Sequence, residues 1–262
     1  MSNLNIALQL PVVIVASAFG AQAVRRRGHA AWVDTVAGAG AAGFEVRREL
    51  FAHEADASFE ALRSLGAAVA ACGLWTVYST PAELYLDEGV LNATALAQAY
   101  AEADALGARW VKLQLGGFAR DAQATAIARA GAGRLARLVV ENGQHERGGA
   151  IAQFVELFAA FRREGQADAL GMTFDIGNWD WAGQAPLDAA RALAAHVEYV
   201  HCKSSEGQGG RRFPVAPAHD DASFLAVLGR LPSAAPRAIE FPLDERAPLD
   251  DARRAVAWLA AA

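Results

Sequence analysis

The chain has 262 residues, close to the roughly 250 of one α/β barrel, with 53% hydrophobic and 20% charged residues, enough to bury a large core without covalent staples. Its 29 acidic and 24 basic residues leave a net charge of -5, so it lacks the basic footprint of a nucleic-acid binder. Cys72 and Cys202 are far apart and form no CxxC pair, which argues against a disulfide scaffold or a cysteine zinc site and suits a reducing compartment, the cytoplasm.

Residues 6–18, IALQLPVVIVASA, form the first apolar run, followed by Ala21-Gln22-Ala23. No Lys or Arg precedes the run, Pro11 interrupts it, and Arg25-Arg26-Arg27 follow it, on the wrong side for a secretory leader. The run is also too short to span a bilayer, so it reads as a buried first strand and its loop. No other segment is a membrane candidate.

Strands are expected at Leu4–Leu10, Gly43–Arg47, Gly73–Tyr78, Trp110–Leu115, Leu138–Glu141, Gly171–Asp175, Val197–Lys203 and Arg237–Phe241. Alanine-rich helical stretches alternate with them: Ala30–Gly40, Ser58–Ala71, Thr94–Leu106, Ala122–Arg134, Ala150–Arg163, Pro186–Ala195, Ala222–Leu231 and Asp250–Ala261. An open doubly wound sheet uses the same alternation, but eight strands favour a single-domain (β/α)8 TIM barrel over residues 1–262. Gly148-Gly149 and Gly207–Gly210 read as loops after strands five and seven, on the catalytic rim of such a barrel.

The later strands end on side chains able to ligate a metal. LVVENG places Glu141 at a tip, MTFDIGN places Asp175, YVHCK places His201, and AIEFP places Glu240. Three carboxylates within about 4 Å would repel by about 4 kcal/mol per pair at an effective dielectric near 20, unless protonated or neutralised by a cation. Three oxygen donors and an imidazole suit Mn2+ or Mg2+, with Co2+ or Zn2+ also compatible.

With these motifs in order at the spacing of one βα unit, the chain resembles the xylose-isomerase-like barrel superfamily, the sugar phosphate isomerase/epimerase group related to endonuclease IV. GFEVRREL at strand two fits as well: the resemblance implies a Glu, here Glu45, under the site with adjacent residues facing substrate, and Glu45 itself is carried as a substrate-binding candidate. The resemblance implies one metal held by Glu141, Asp175, His201 and Glu240. It also implies that Glu141 and Glu240 act as the acid/base pair on the two faces of a sugar, through a metal-stabilised enediolate. Family epimerases acting on free ketoses often carry a His three residues after the strand-six Asp; here Asn178 stands there and cannot titrate, so their exact substrate does not transfer.

Arg47 is in phase with Glu45, and Lys203 with His201; each can bind a carboxylate or phosphate or pair with a nearby acid. Lys112 raises the same question, with filling of the barrel layers favoured. Together the three make an acidic sugar or a sugar phosphate reasonable. Asn142, Gln144 and Asn178 are hydrogen-bond candidates, and Trp179 with Trp181 offers either a flat face for a sugar ring or packing for the loop. His145 and Glu146 read as exposed loop, and His219 as the start of a helix, with Asp220-Asp221 favoured by the N-terminal dipole. A dehydratase of a keto-sugar or keto-cyclitol shares the metal and enolate chemistry. An endonuclease IV-like nuclease needs more ligands and basic surface than six His and this charge provide. A sugar-binding barrel without turnover is the non-enzyme alternative. Trp75, Tyr78 and Tyr85, read as apolar rim residues, either cover a neighbour's site in a homo-oligomer or line their own pocket.

Overall fold

The computed structural model of the chain describes residues 10–207 and 212–262. Eight parallel strands close a barrel: β1 (Val12–Val15), β2 (Gly43–Arg47), β3 (Trp75–Tyr85), β4 (Trp110–Gly116), β5 (Arg137–Glu141), β6 (Gly171–Asp175), β7 (Val197–Cys202) and β10 (Arg237–Ile239), the last pairing with both β7 and β1. A hairpin, β8 (Ser204–Glu206) with β9 (Phe213–Val215), stands on the rim after β7. The helices are α1 (Ala21–Arg27), α2 (Val33–Gly38), α3 (Phe59–Ala71), α4 (Ala93–Leu106), α5 (Ala124–Gly131), α6 (Ile151–Arg163), α7 (Ile176–Trp181), α8 (Pro186–Leu193), α9 (Ala222–Leu228) and α10 (Pro248–Ala261). The barrel expectation holds.

The expected first strand is displaced. Leu10 lies outside any strand, residues 4–9 fall outside the described residues, and β1 is built from Val12-Val13-Ile14-Val15. A β-branched run buried on both faces is what a parallel barrel strand requires, and all four residues are buried. Pro11, without an N–H, stands just before the strand and gives its carbonyl to the Arg237 N–H at 3.1 Å.

Other boundaries shift for local reasons. The stretch expected as one helix over Ala30–Gly40 is a 3-10 turn, His29–Trp32, followed by α2. Strand three runs well past Tyr78, through an irregularity between Ser79 and Glu83. His219 does not begin α9; Asp221 caps it by accepting from the Ser223 and Phe224 N–H groups. Of the Gly207–Gly210 loop, Gly207 is a bend at the hairpin, and residues 208–210 lie outside the described residues.

Two cores result. Outward strand faces pack under the helices, while Val13, Val15, Val77, Tyr199 and Ala238 fill the barrel bore. Trp110 stacks on Tyr199 at 6.1 Å and meets Trp75 at 5.4 Å, plugging the N-terminal end. Trp75 therefore belongs to the barrel floor and not to its rim. Tyr78 and Tyr85 are also off the rim: both are buried, donating their hydroxyls to Glu102 Oε2 and the Ala122 carbonyl at 2.6 Å each. No described helix is long and apolar enough to cross a membrane.

His29 links this frame to the site. It is 2% exposed, and its Nε2 accepts the Arg47 N–H at 3.3 Å. Burial pushes its imidazole from 6.5 down to about 4, against smaller upward pulls from the Arg47 contact and Asp56. Because the folded value is the lower one, the contribution is complete above about pH 6.5 and is lost as pH falls through 4. Over that window about 3 kcal/mol of stability should disappear. Urea melts of His29→Gln between pH 4 and 7 should show a flatter acid limb than the native chain; matching slopes would refute this.

Candidate metal centre

Strand register brings the four proposed ligands to one level. Asp175 stands beside His201 across β6 and β7, Glu141 ends β5 next to Gln114 of β4, and Glu240 follows β10. Alternation along each strand turns these side chains inward. One ligand atom from each of Glu141, Asp175, His201 and Glu240 lies within 4.8 Å of the others, and all four residues are buried.

Each group is fixed by a partner. Asp175 Oδ1 caps α7 by accepting the Asn178 N–H at 2.9 Å, which leaves Oδ2 facing the centre. His201 turns Nδ1 toward Glu141 Oε1 and Glu240 Oε2, at 2.8 Å each, with Asp175 Oδ2 at 3.6 Å. Its Nε2 meets Glu45 Oε2 at 2.8 Å, and the same oxygen accepts the Tyr199 hydroxyl at 2.9 Å. A histidine held by a carboxylate on one nitrogen and directed at an acidic cluster with the other is the usual arrangement behind a metal-ligating imidazole. Three carboxylates and one imidazole converge at coordination spacing, so the residues fit a divalent cation.

Cations are interleaved with the acids. Lys112, wholly buried, places Nζ 2.8 Å from Glu141 Oε1 and 3.3 Å from Glu45 Oε1. Arg47 reaches Glu240 Oε1 at 2.8 Å and Glu49 at 2.6 Å. Lys203 Nζ sits 2.5 Å from Asp175 Oδ2 and 2.6 Å from Glu240 Oε2. Counting Glu45, Glu49, Glu141, Asp175 and Glu240 against these three cations leaves two negative charges once His201 gives up the proton that Glu240, Glu45 and Glu141 favour against burial, the charge a divalent ion would balance.

The electrostatics follow from these contacts. Burial pushes Glu45 up, but Lys112 and then His201 together outweigh it and hold the carboxyl at about 2. Glu141 is likewise driven down, burial being outweighed by Lys112 and His201. Burial is again the largest influence on Glu240, yet His201, Lys203 and Arg47 hold it well below the usual carboxylate range. Asp175 goes the other way: burial raises it and Lys203 only partly compensates.

Above the ligands opens a cavity of about 420 Å3. Glu141, Glu240, Arg47 and Lys203 line its floor, with Gln114, Gln144 and Asn178 beside them. Asn178 Oδ1 is buried without a hydrogen-bond partner. His145, read as exposed loop, is exposed and also edges the cavity. Ser17, Ser79, Thr80, Glu83 and Arg147 add polar groups that the sequence did not single out. Serine or threonine after a strand carries no charge or motif, and Arg147 becomes a rim residue only through its ion pairs with Glu83 and, at 3.0 Å, Asp87.

Four expected substrate contacts lie elsewhere. Trp179 is fully buried, edge-on to Phe154 at 5.5 Å and tilted against Phe174 at 5.7 Å, so it packs α7 rather than facing a sugar. Asn142 spends both ends of its amide on the Asp175 backbone, at 2.9 and 3.0 Å, tying β5 to β6. Glu45 and Lys112 lie beneath the ligands, outside the cavity lining. Arg47, Gln144, Asn178 and Lys203 do line it.

Solved structures share this fold along the whole chain. A xylose isomerase domain protein from Planctomyces limnophilus matches with a TM-score of 0.67 at 17% identity, over 97% of this chain and 96% of that one. D-psicose 3-epimerase from Clostridium cellulolyticum H10, solved with D-tagatose, gives 0.62 at 10% identity, over 96% and 97% of the two chains. A probable 3-DHS dehydratase from Bacillus anthracis gives 0.59 at 14%, over 95% and 98%. At such identities the likeness is one of fold: the chain has the xylose-isomerase-like TIM-barrel fold. Neither a protein-family profile nor a curated protein matches its sequence.

Proposed function

We propose that the protein is a divalent-metal-dependent isomerase or epimerase of a sugar, moving a proton at the carbon beside a carbonyl. The observation that carries this reading is the convergence of Glu141, Asp175, His201 and Glu240 on the floor of a polar cavity. When bound, a divalent cation, with Mn2+ or Mg2+ favoured by the oxygen-rich donors, supplies Lewis-acid polarisation of the carbonyl and its neighbouring hydroxyl.

The chain's own residues do the rest. Glu141 and Glu240 are kept ionised by Lys112 on one side and by His201, Lys203 and Arg47 on the other. An ionised carboxylate at a cavity floor can take a proton from a bound carbon acid; for delivery from another face its partner first takes up a proton from solvent, and the first glutamate releases its own to solvent afterwards. The uncharged groups around them suit hydroxyls. Ser17, Ser79, Thr80 and Gln144 offer hydrogen bonds from the walls, with Asn178 beside them. Glu45 acts through His201, holding the ring so that Nδ1 faces the centre.

The test is incubation with Mn2+ and a panel of ketoses in D2O. Deuterium should enter one carbon of a substrate without loss of water, and a chelator should stop it. Loss of water from a keto-sugar or keto-cyclitol would favour the dehydratase reading, which a neighbour of this fold supports at the level of reaction class. No exchange with any sugar, despite bound Mn2+, would leave a sugar-binding barrel.

A further inference from the structure

Lys203 stands where a second cation has no room. Its ammonium contacts Asp175 Oδ2 and Glu240 Oε2, at 2.5 and 2.6 Å, and the same two oxygens face His201 Nδ1. The lysine is not needed to hold those carboxylates. Asp175 is anchored through Oδ1 by the Asn178 N–H, and Glu240 through Oε1 by Arg47 at 2.8 Å.

Its path is shaped by the backbone. A Cβ at Gly177 would fall 2.8 Å from Lys203 Cγ and 3.1 Å from the Lys203 carbonyl. Only a bare backbone at that position lets the lysine stem run over the first turn of α7 to the acids. The glycine of the FDIGN motif therefore serves the lysine as well as the turn.

We propose that Lys203 is a tethered competitor for the cation site: its ammonium occupies the Asp175–Glu240 carboxylate pair, and a divalent ion takes all four ligands only by displacing it. This inference rests on the metal reading above. A positive charge sharing two oxygens with a divalent ion is strongly repelled at that range, so the lysine sets the affinity of the site and moves when the site fills. A released ammonium would remain at the cavity floor, which Lys203 already lines, and would face the substrate's oxygens.

Two measurements test it. Lys203→Met should bind Mn2+ at least about tenfold tighter than the native chain by calorimetric titration, because the ion no longer has to evict a charge. The second needs no variant. Lys112 and Lys203 are the only lysines in the chain, both at most 4% exposed. Saturating Mg2+ should therefore raise acetylation of Lys203 by acetic anhydride several-fold, read by peptide mass spectrometry, while Lys112 stays protected as an internal control. Equal or weaker Mn2+ binding by the folded variant overturns the inference, as does Lys203 labelling that Mg2+ leaves unchanged or reduces. Should the variant not fold, the labelling result decides alone. If neither the native chain nor the variant binds Mn2+, the metal reading falls with it; if the native chain binds Mn2+ and Lys203 is indifferent, only the competitor role falls.

Discussion

Exchanging Glu240 for glutamine should lower kcat by about 10²–10⁴-fold on any sugar that the native protein turns over at saturating Mn2+, the usual span for losing a positioned acid or base. The substitution keeps the side chain's shape, so the barrel should fold unchanged. It removes a carboxylate that now accepts from Arg47 at 2.8 Å, Lys203 at 2.6 Å and His201 at 2.8 Å. An amide oxygen can still face an ion weakly but cannot hold a proton near neutral pH. Metal affinity should drop too, so the variant must be assayed across a Mn2+ titration. Glu141→Gln should fail similarly. A kcat within twofold of the native value for either variant, with circular dichroism intact, would remove that glutamate from the proton transfer.

The second large effect is on stability. Lys112→Met should destabilise the protein by about 3–5 kcal/mol at pH 7, because it leaves Glu45 and Glu141 buried without their common cation. For a chain of this size that is a fall in Tm of roughly 10 °C. The pH dependence distinguishes this from a packing defect. In the native chain Glu45 titrates at about 2, below its ordinary 4.5, so its contribution is present above 4.5 and lost as pH falls through 2. Without Lys112 the largest downward pull on Glu45 is gone and mainly His201 is left to oppose burial, so the folded value rises toward the unfolded one. The variant should then lose less stability than the native chain as pH falls below 4.5, giving a flatter acid limb. A loss that stays uniform as pH falls through 4.5 toward 2 would mean that the lysine acts by volume alone.

Such predictions depend on which parts of the site could be read from the order of residues. The ligand set was legible because strand periodicity is rigid. A residue at the C-terminal end of a parallel barrel strand can only face the rim, and four successive strands ended on Glu141, Asp175, His201 and Glu240. Lys203 and Arg47 were legible as inward-facing by the same rule, and both line the cavity.

What the rule does not contain is the partner. Trp179 and Asn142 looked available for substrate, yet one fills the space beside Phe154 and the other satisfies the Asp175 backbone. Residue 179 follows a strand end, where loop and helix are both common. Its fate turned on Asp175 capping α7 and so directing the indole inward. β1 starts later than its apolar run suggests because Leu4–Leu10 and Val12–Val15 are both apolar, and only β-branching and pairing with β2 and β10 mark the strand.

By itself, then, the sequence determined the alternation of strands and helices, the closure into a barrel, and the identities of the four groups at its later strand ends, since these follow from local periodicity and strand count. Tertiary structure alone decided the ion pairs that set the charge state of those groups. Lys112 joins Glu45 to Glu141, Arg47 reaches Glu240 from the opposite end of the chain, and Lys203 lies over Gly177 onto Asp175. The physical reason is that a buried charge is governed by its nearest neighbours in space, and barrel closure makes neighbours of residues far apart in the chain.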